Sequence, residues 1–199
     1  MSPDAPPVLW LLRHGETSWT ATGRHTGRTD IPLTPRGELQ AAALGRRLAC
    51  RPFSLVLTSP LARARETCRL AGYGGMAGVD PDMQEWDYGD LEGKTTAEIR
   101  AQRPTWTVWT SGAPGGEMPA DVGQRADRVI ARALSASGHV ALFAHGHFLR
   151  VLAARWLGLA PSGGGSLALD TASVSMIGFE REQRVIRHWN EICHLAGEQ

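Results

Sequence analysis

The sequence predicts an α/β fold, and three observations carry that reading. Three short apolar runs, Leu9–Leu12, Leu55–Leu57 and Val140–Ala144, have the length and unbroken apolar character of strands buried on both faces. Each stops abruptly at polar residues, and each is followed further on by helix-start signals or a helical period. At 199 residues, with no composition shift and no long polar linker, the chain has the size of one well-buried core. A single domain over residues 1–199 is therefore expected.

The first run ends in Arg13-His14-Gly15. The glycine lets the backbone turn, so a histidine and an arginine are delivered to the carboxyl end of a strand, where open α/β sheets bind ligands. Gly23–Asp30, rich in Gly and Thr and without apolar period, reads as a polar loop. Thr34-Pro35 opens an Ala- and Leu-rich helix running to about Cys50. The second run ends in Thr58-Ser59-Pro60, and the helix from Leu61 places Arg63 and Arg65 in its first turn. There they either meet an anion beside free backbone N–H groups or lie on a solvated helix face.

Asp80–Gly93 is acidic and irregular, with Glu85 beside Trp86 and Tyr88. Aromatic flanks partly desolvate a carboxylate, which raises its pKa and suits it to donate a proton. Thr95 and Glu98 have capping-box spacing and open a helix lasting to Arg103, before Pro104. Trp106, Trp109 and Gly112–Gly116 read as a mobile flap with apolar anchors. From Val122 to Leu134 apolar residues recur at helical spacing, with Arg125, Arg128 and Arg132 between them on a face expected to be solvated. The third run delivers His145-Gly146-His147 ahead of a helix over Phe148–Leu157, whose N-terminus points back at the histidine as a second half of an anion site. Beyond the glycine loop Ser162–Ser166, Ser173–Phe179 and Val185–Trp189 read as a hairpin. His188 and His194 stand alone and suit surface or core positions.

Lys and Arg number 21 against 20 Asp and Glu, so no net field draws in nucleic acid or an anionic membrane surface. Three widely spaced cysteines, Cys50, Cys68 and Cys193, without a CxxC pattern, argue against a disulfide framework or a zinc site. Met1–Pro7 is acidic and proline-rich, unlike a secretory signal, and no apolar run is long enough to span a bilayer; a cytoplasmic protein is expected.

Strand ends carrying His14 and His145, a helix start carrying Arg63 and a loop carrying Glu85 are the parts that phosphoryl transfer needs without a metal or other cofactor. His14 as a neutral imidazole attacks phosphorus, Arg13 and Arg63 hold the equatorial oxygens, and His145 supplies a further donor. Glu85 protonates the leaving oxygen and later takes a proton from the hydrolytic water. A rival is a metal site, because His145 and His147 are two apart; Gly146, however, ends the strand and turns the rings apart. A non-catalytic phospho-ligand module is the second rival.

Five motifs carry a family resemblance: Leu12–Thr17, Thr26–Thr34, Ser59–Thr67, Glu85–Gly93 and Ala144–His147, in that order along nearly the whole chain. The chain resembles the histidine phosphatase superfamily, also called phosphoglycerate mutase-like. That resemblance implies a three-layer α/β/α sandwich with a central, mostly parallel sheet, a phosphorylated His14, phosphate held by Arg13, Arg63 and His145, and Glu85 as acid/base. A phosphatase is expected rather than a mutase, because Thr95–Glu117 is short and holds only Arg100 and Arg103 where the mutases carry a basic insertion. The runs around Glu85 and His145 are most similar to the broad-specificity acid phosphatases and the sedoheptulose-bisphosphatase branch, so a small phosphorylated metabolite is the expected partner; the sequence leaves the oligomeric state open, a homodimer included. Thr20, Thr26, Gly27, Tyr88, Gly146 and His147 complete the expected substrate contacts. Two departures stand out: Thr20 replaces an Asn common among relatives, and Met118 stands where relatives often have Ser.

Overall fold

A computed structural model of the chain describes residues 6–197. Met1–Ala5 and Glu198–Gln199 lie outside the described residues, and with them most of the proline-rich start and both ends of the expected domain. In chain order the elements are β1 (Val8–Arg13), a one-turn α1 (Ser18–Ala21), α2 (Pro35–Leu48), β2 (Leu55–Thr58), α3 (Ala62–Leu70), a two-residue β3 (Gly78–Val79), α4 (Thr96–Gln102), a one-turn α5 (Val108–Ser111), α6 (Pro119–Leu134), β4 (His139–Ala144), α7 (Gly146–Trp156), β5 (Val174–Glu180) and β6 (Gln183–Glu191).

One six-stranded sheet runs in the order β3-β2-β4-β1-β5-β6. The first four are parallel to one another, and β5 and β6 add an antiparallel hairpin at one edge. Leu9, Leu11, Val140 and Leu142 point to one face, where they pack with residues of α6 and α7. Trp10, Leu12, Ala141 and Phe143 point to the other, against residues of α2 and α3. With helices on both faces, Leu9–Leu12 and Val140–Ala144 of the two central strands are buried throughout, which is why they read as continuous apolar runs. The result is the expected three-layer sandwich. Its parallel strands β1, β2 and β4 all end at one rim, and their ends carry His14, Ser59 and His145.

Local chemistry explains the helix starts. Thr34 Oγ1 accepts from Gly37 N at 3.0 Å with Pro35 in the first turn, and Thr95 forms a reciprocal capping box with Glu98. Helix α2 stops at Leu48, just short of the expected end, because Ala49 and Cys50 take left-handed backbone. Helix α7 begins at Gly146, two residues early, with His145 as its extended N-cap. The glycine segment expected as a loop forms 3₁₀ turns over Pro161–Ser166.

Two expectations are corrected. Of the α6 arginines, Arg128 and Arg132 are exposed as expected, though paired with Asp82 at 2.6 Å, whereas Arg125 is largely shielded and pairs with Glu117 at 2.7 Å. Carboxylates from the acidic loop lie across this face of α6 and turn it into an ionic seam. The segment around Trp106 and Trp109 is a packed arch rather than a mobile flap. Trp106 is buried and donates its indole N–H to Gly112 O, while Pro114 O accepts from Asp90 N. Among the described residues no helix is long and apolar enough to cross a membrane.

Candidate active site

At the rim formed by the three parallel strands lies a cleft of about 410 Å³, lined among others by Arg13, His14, Glu85, Tyr88, His147 and Arg150. A larger hollow of about 690 Å³ lies against α3 and β3 and contains none of these residues.

His14 follows β1 directly, and its ring Nδ1 lies 2.7 Å from Gly15 O. A carbonyl only accepts, so Nδ1 carries the proton and the lone pair sits on Nε2. Burial holds this imidazole well below its ordinary pKa, and the Arg63 and Arg13 charges push the same way. The ring is thus held neutral, with the lone pair on Nε2. Arg13, the last residue of β1, is partly buried, with one terminal nitrogen donating to Leu169 O and with its buried Nε unpartnered. A buried guanidinium N–H without an acceptor marks a position for an anion. Gly146 stands against it: a Cβ there would lie 3.3 Å from Arg13 Cζ and Nε.

Arg63 is completely buried, which settles against a solvated face. Its Nε donates to His145 Nδ1 at 3.2 Å, Nη1 to Thr29 O, and Nη2 to Thr26 O and Gly27 O. Little of its fork remains for a ligand. His145 must then carry its proton on Nε2, which lies 2.7 Å from Ser59 Oγ. Contrary to expectation, that donor is committed to Ser59, and the ring braces Arg63 at a centroid distance of 5.1 Å from His14.

Glu85 is buried, and its carboxylate accepts from Trp86 N and Phe148 N on Oε1 and from His147 N on Oε2. The α7 N-terminus, expected to serve the anion site directly, therefore grips Glu85 instead. His147 shares a 2.6 Å hydrogen bond with Tyr88 Oη, and burial pushes that phenol's pKa well up. Of the other expected contacts, Thr26 lines the cleft, and so does Thr20. Thr20, however, donates its hydroxyl to Thr17 O within the α1 cap and has no hydrogen to offer a phosphate. Gly27 does not line the cleft: its N–H goes to Glu92 and its carbonyl to Arg63, and a Cβ there would lie 2.5 Å from Trp86 O.

Residues the sequence reasoning missed are Ser59, Glu92, His25 and Arg150. Glu92 Oε1 accepts from both Gly27 N and Thr29 N, shaping the loop whose carbonyls receive Arg63. Arg150 lies 4.4 Å over the Trp109 ring, and the two form one wall with His147. Arg150 sits one helical turn after Gly146, a spacing that could have pointed to it. Among the described residues no group of three or more His, Cys, Asp or Glu could hold a metal ion.

The comparisons with known proteins agree with this geometry. The chain is 43% identical over 180 residues to an acid phosphatase of Mycobacterium tuberculosis, covering 88% of each chain. It is 35% identical over 189 residues to sedoheptulose 1,7-bisphosphatase of Saccharomyces cerevisiae, covering 79% of this chain and 70% of that one. The solved structure of an open reading frame product from Mycobacterium tuberculosis superposes with a TM-score of 0.87 at 40% identity, over 92% of this chain and 96% of the other. The model of the histidine phosphatase superfamily (branch 1) matches residues 9–192. With the family match spanning almost the whole chain and the strand-end cleft assembled as described, the chain belongs to the histidine phosphatase superfamily and is a phosphatase.

Proposed function

We propose that this phosphatase hydrolyses small phosphomonoesters through a phosphohistidine on Nε2 of His14, without a metal ion. The observation that carries the reading is the tautomer: the Gly15 carbonyl holds the His14 proton on Nδ1 and leaves Nε2 nucleophilic in a cleft that Arg13, with its unpartnered Nε, also lines. Nε2 attacks phosphorus as the bond to the leaving oxygen breaks, and a protonated Glu85 gives that oxygen its proton. Oε2 accepts one hydrogen bond against two on Oε1, so Oε2 is the oxygen suited to carry it. The Glu85 carboxylate then takes a proton from water attacking the P–N bond, and inorganic phosphate leaves. Arg13 neutralises the phosphoryl oxygens, while Arg63, hydrogen-bonded to the His145 ring next to His14, adds positive charge nearby.

The substrate class is supported by the likeness to an acid phosphatase and a sugar bisphosphatase and by a cleft far larger than one phosphate. Tyr88, His147, Trp109 and Arg150 would face the leaving group there. His14→Ala is expected to lower kcat/KM on p-nitrophenyl phosphate by roughly 10⁴-fold or more. In wild type, alkaline quenching after mixing with substrate should leave phosphate on His14, detectable by mass spectrometry. A variant that retains turnover, or an enzyme stopped by a chelator, would end the proposal.

A further inference from the structure

We infer that Arg125, with Glu117, is a positioning residue for Glu85: it fixes the backbone that carries the acid/base carboxylate. This rests on the acid/base role proposed for Glu85. The residues around Glu85 belong to no ladder and make only short 3₁₀ turns over Pro81–Met83 and Gly89–Leu91, so their carbonyls need donors from elsewhere. Arg125, from α6, supplies them. Its Nη1 donates to Asp82 O at 2.6 Å and Gln84 O at 3.0 Å, and Nη2 reaches Glu85 O at 3.4 Å.

The same guanidinium makes a two-pronged pair with Glu117, Nε to Oε1 at 2.7 Å and Nη2 to Oε2 at 2.8 Å. Glu117 then grips the other side of Glu85. Its Oε2 accepts from Asp87 N, its carbonyl accepts the Trp86 indole N–H, and its own N–H donates to Asp87 O. Glu85 is thereby held between two pinned stretches while the α7 N-terminus fixes its carboxylate. The pair is largely shielded, with side chains 14% and 20% exposed, so solvent screens it little. Neither Arg125 nor Glu117 lines the cleft that holds His14, so neither is placed to touch substrate there.

Lysine at position 125 keeps the charge but cannot span a planar fork and two carbonyls at once. A shift of the Glu85 backbone should penalise proton donation to a poor leaving group and spare an acidic phenol that departs unaided. The experiment is rapid-quench measurement of phosphoenzyme formation by Arg125→Lys, Glu117→Gln and Glu85→Gln, on p-nitrophenyl phosphate and on glycerol 3-phosphate. Both positioning variants are expected to lose on the order of 10- to 100-fold in the rate on glycerol 3-phosphate, with KM within about twofold and a much smaller loss on p-nitrophenyl phosphate. If Arg125→Lys does not fold, Glu117→Gln, which keeps an acceptor for Asp87 N, carries the comparison. Equal losses on both substrates, or no loss beside a Glu85→Gln that discriminates between them, would overturn the positioning role alone. A Glu85→Gln that does not discriminate would instead overturn the acid/base reading beneath it.

Discussion

A guanidinium next to a buried neutral imidazole is stable only where carbonyls and anions take up its charge. Burial pulls the pKa of Arg13 down, and against it stand one such carbonyl, Leu169 O, and the charges of Glu85 and Asp170. Its unpartnered Nε is the part that a phosphoryl oxygen would complete. Arg13→Lys keeps a positive charge and loses the fork; a charge-assisted hydrogen bond is worth about 1.5 to 3 kcal/mol, so inorganic phosphate should inhibit the variant about 10- to 100-fold more weakly. Unchanged inhibition in a folded variant would show that Arg13 does not bind phosphate. Arg13, His14 and Glu85 line one cleft, and they were legible because their strand-end and loop positions coincide with motifs that carry the family resemblance. Ser59 was not, since its meaning lies in a contact with His145 across 86 residues of sequence. Thr20 and Gly27 misled for a related reason: their polar groups are taken by Thr17, Glu92 and Arg63, partners that no local spacing reveals.

Among the elements, β1 and α2 set where His14 stands, and they meet at two glycines. A Cβ on Gly15 would lie 2.3 Å from Gly37 O, and one on Gly37 would lie 2.1 Å from Glu16 O. Backbone meets backbone there, so neither side can yield without moving the turn that follows His14. Helix propensity alone says Gly37→Ala in α2 should stabilise by about 1 kcal/mol. The clash argues the reverse: the variant should melt below wild type by circular dichroism and lose at least about tenfold in kcat, as the 14–16 turn is displaced. A Gly37→Ala protein with a raised melting temperature and full activity would refute the close approach. The same contrast explains how much of the architecture could be read beforehand. Buried strands and capped helices announce themselves through apolar runs and through Thr34-Pro35 or Thr95 with Glu98. The two-residue β3 and the one-turn α1 and α5 carry no period and exist because larger elements hold them. The α6 arginines followed a correct helical pattern, but the pattern could not show that Asp80, Asp82 and Glu117 would fold across them.

At the scale of the molecule, the sheet rim gathers four histidines, His14, His25, His145 and His147, all with pKa values lowered chiefly by burial. Their cost appears on acidification. Below about pH 6.5 the unfolded chain takes up a proton at each, whereas the folded protein resists until a lower pH, so the unfolded state binds more protons and stability falls as pH falls. For His25, lowered from 6.5 to about 4, the window lies between those values, and it contributes up to about 1.4 kcal/mol per pH unit there. Asp82, held down to about 2 first by its hydrogen bond with Arg128, adds a further loss only below about pH 4. His25→Gln removes one titrating ring, together with its contacts to Tyr88 and Trp106, so the variant should be less stable at pH 7.5. The diagnostic quantity is the slope. In urea titrations at intervals from pH 7.5 to 4, the unfolding free energy of His25→Gln should decline less steeply than that of wild type, by up to about 1.4 kcal/mol per pH unit. Parallel curves would mean that His25 takes up its proton in the folded state as readily as in the unfolded chain, and that the wall of the cleft is wetter than its burial implies.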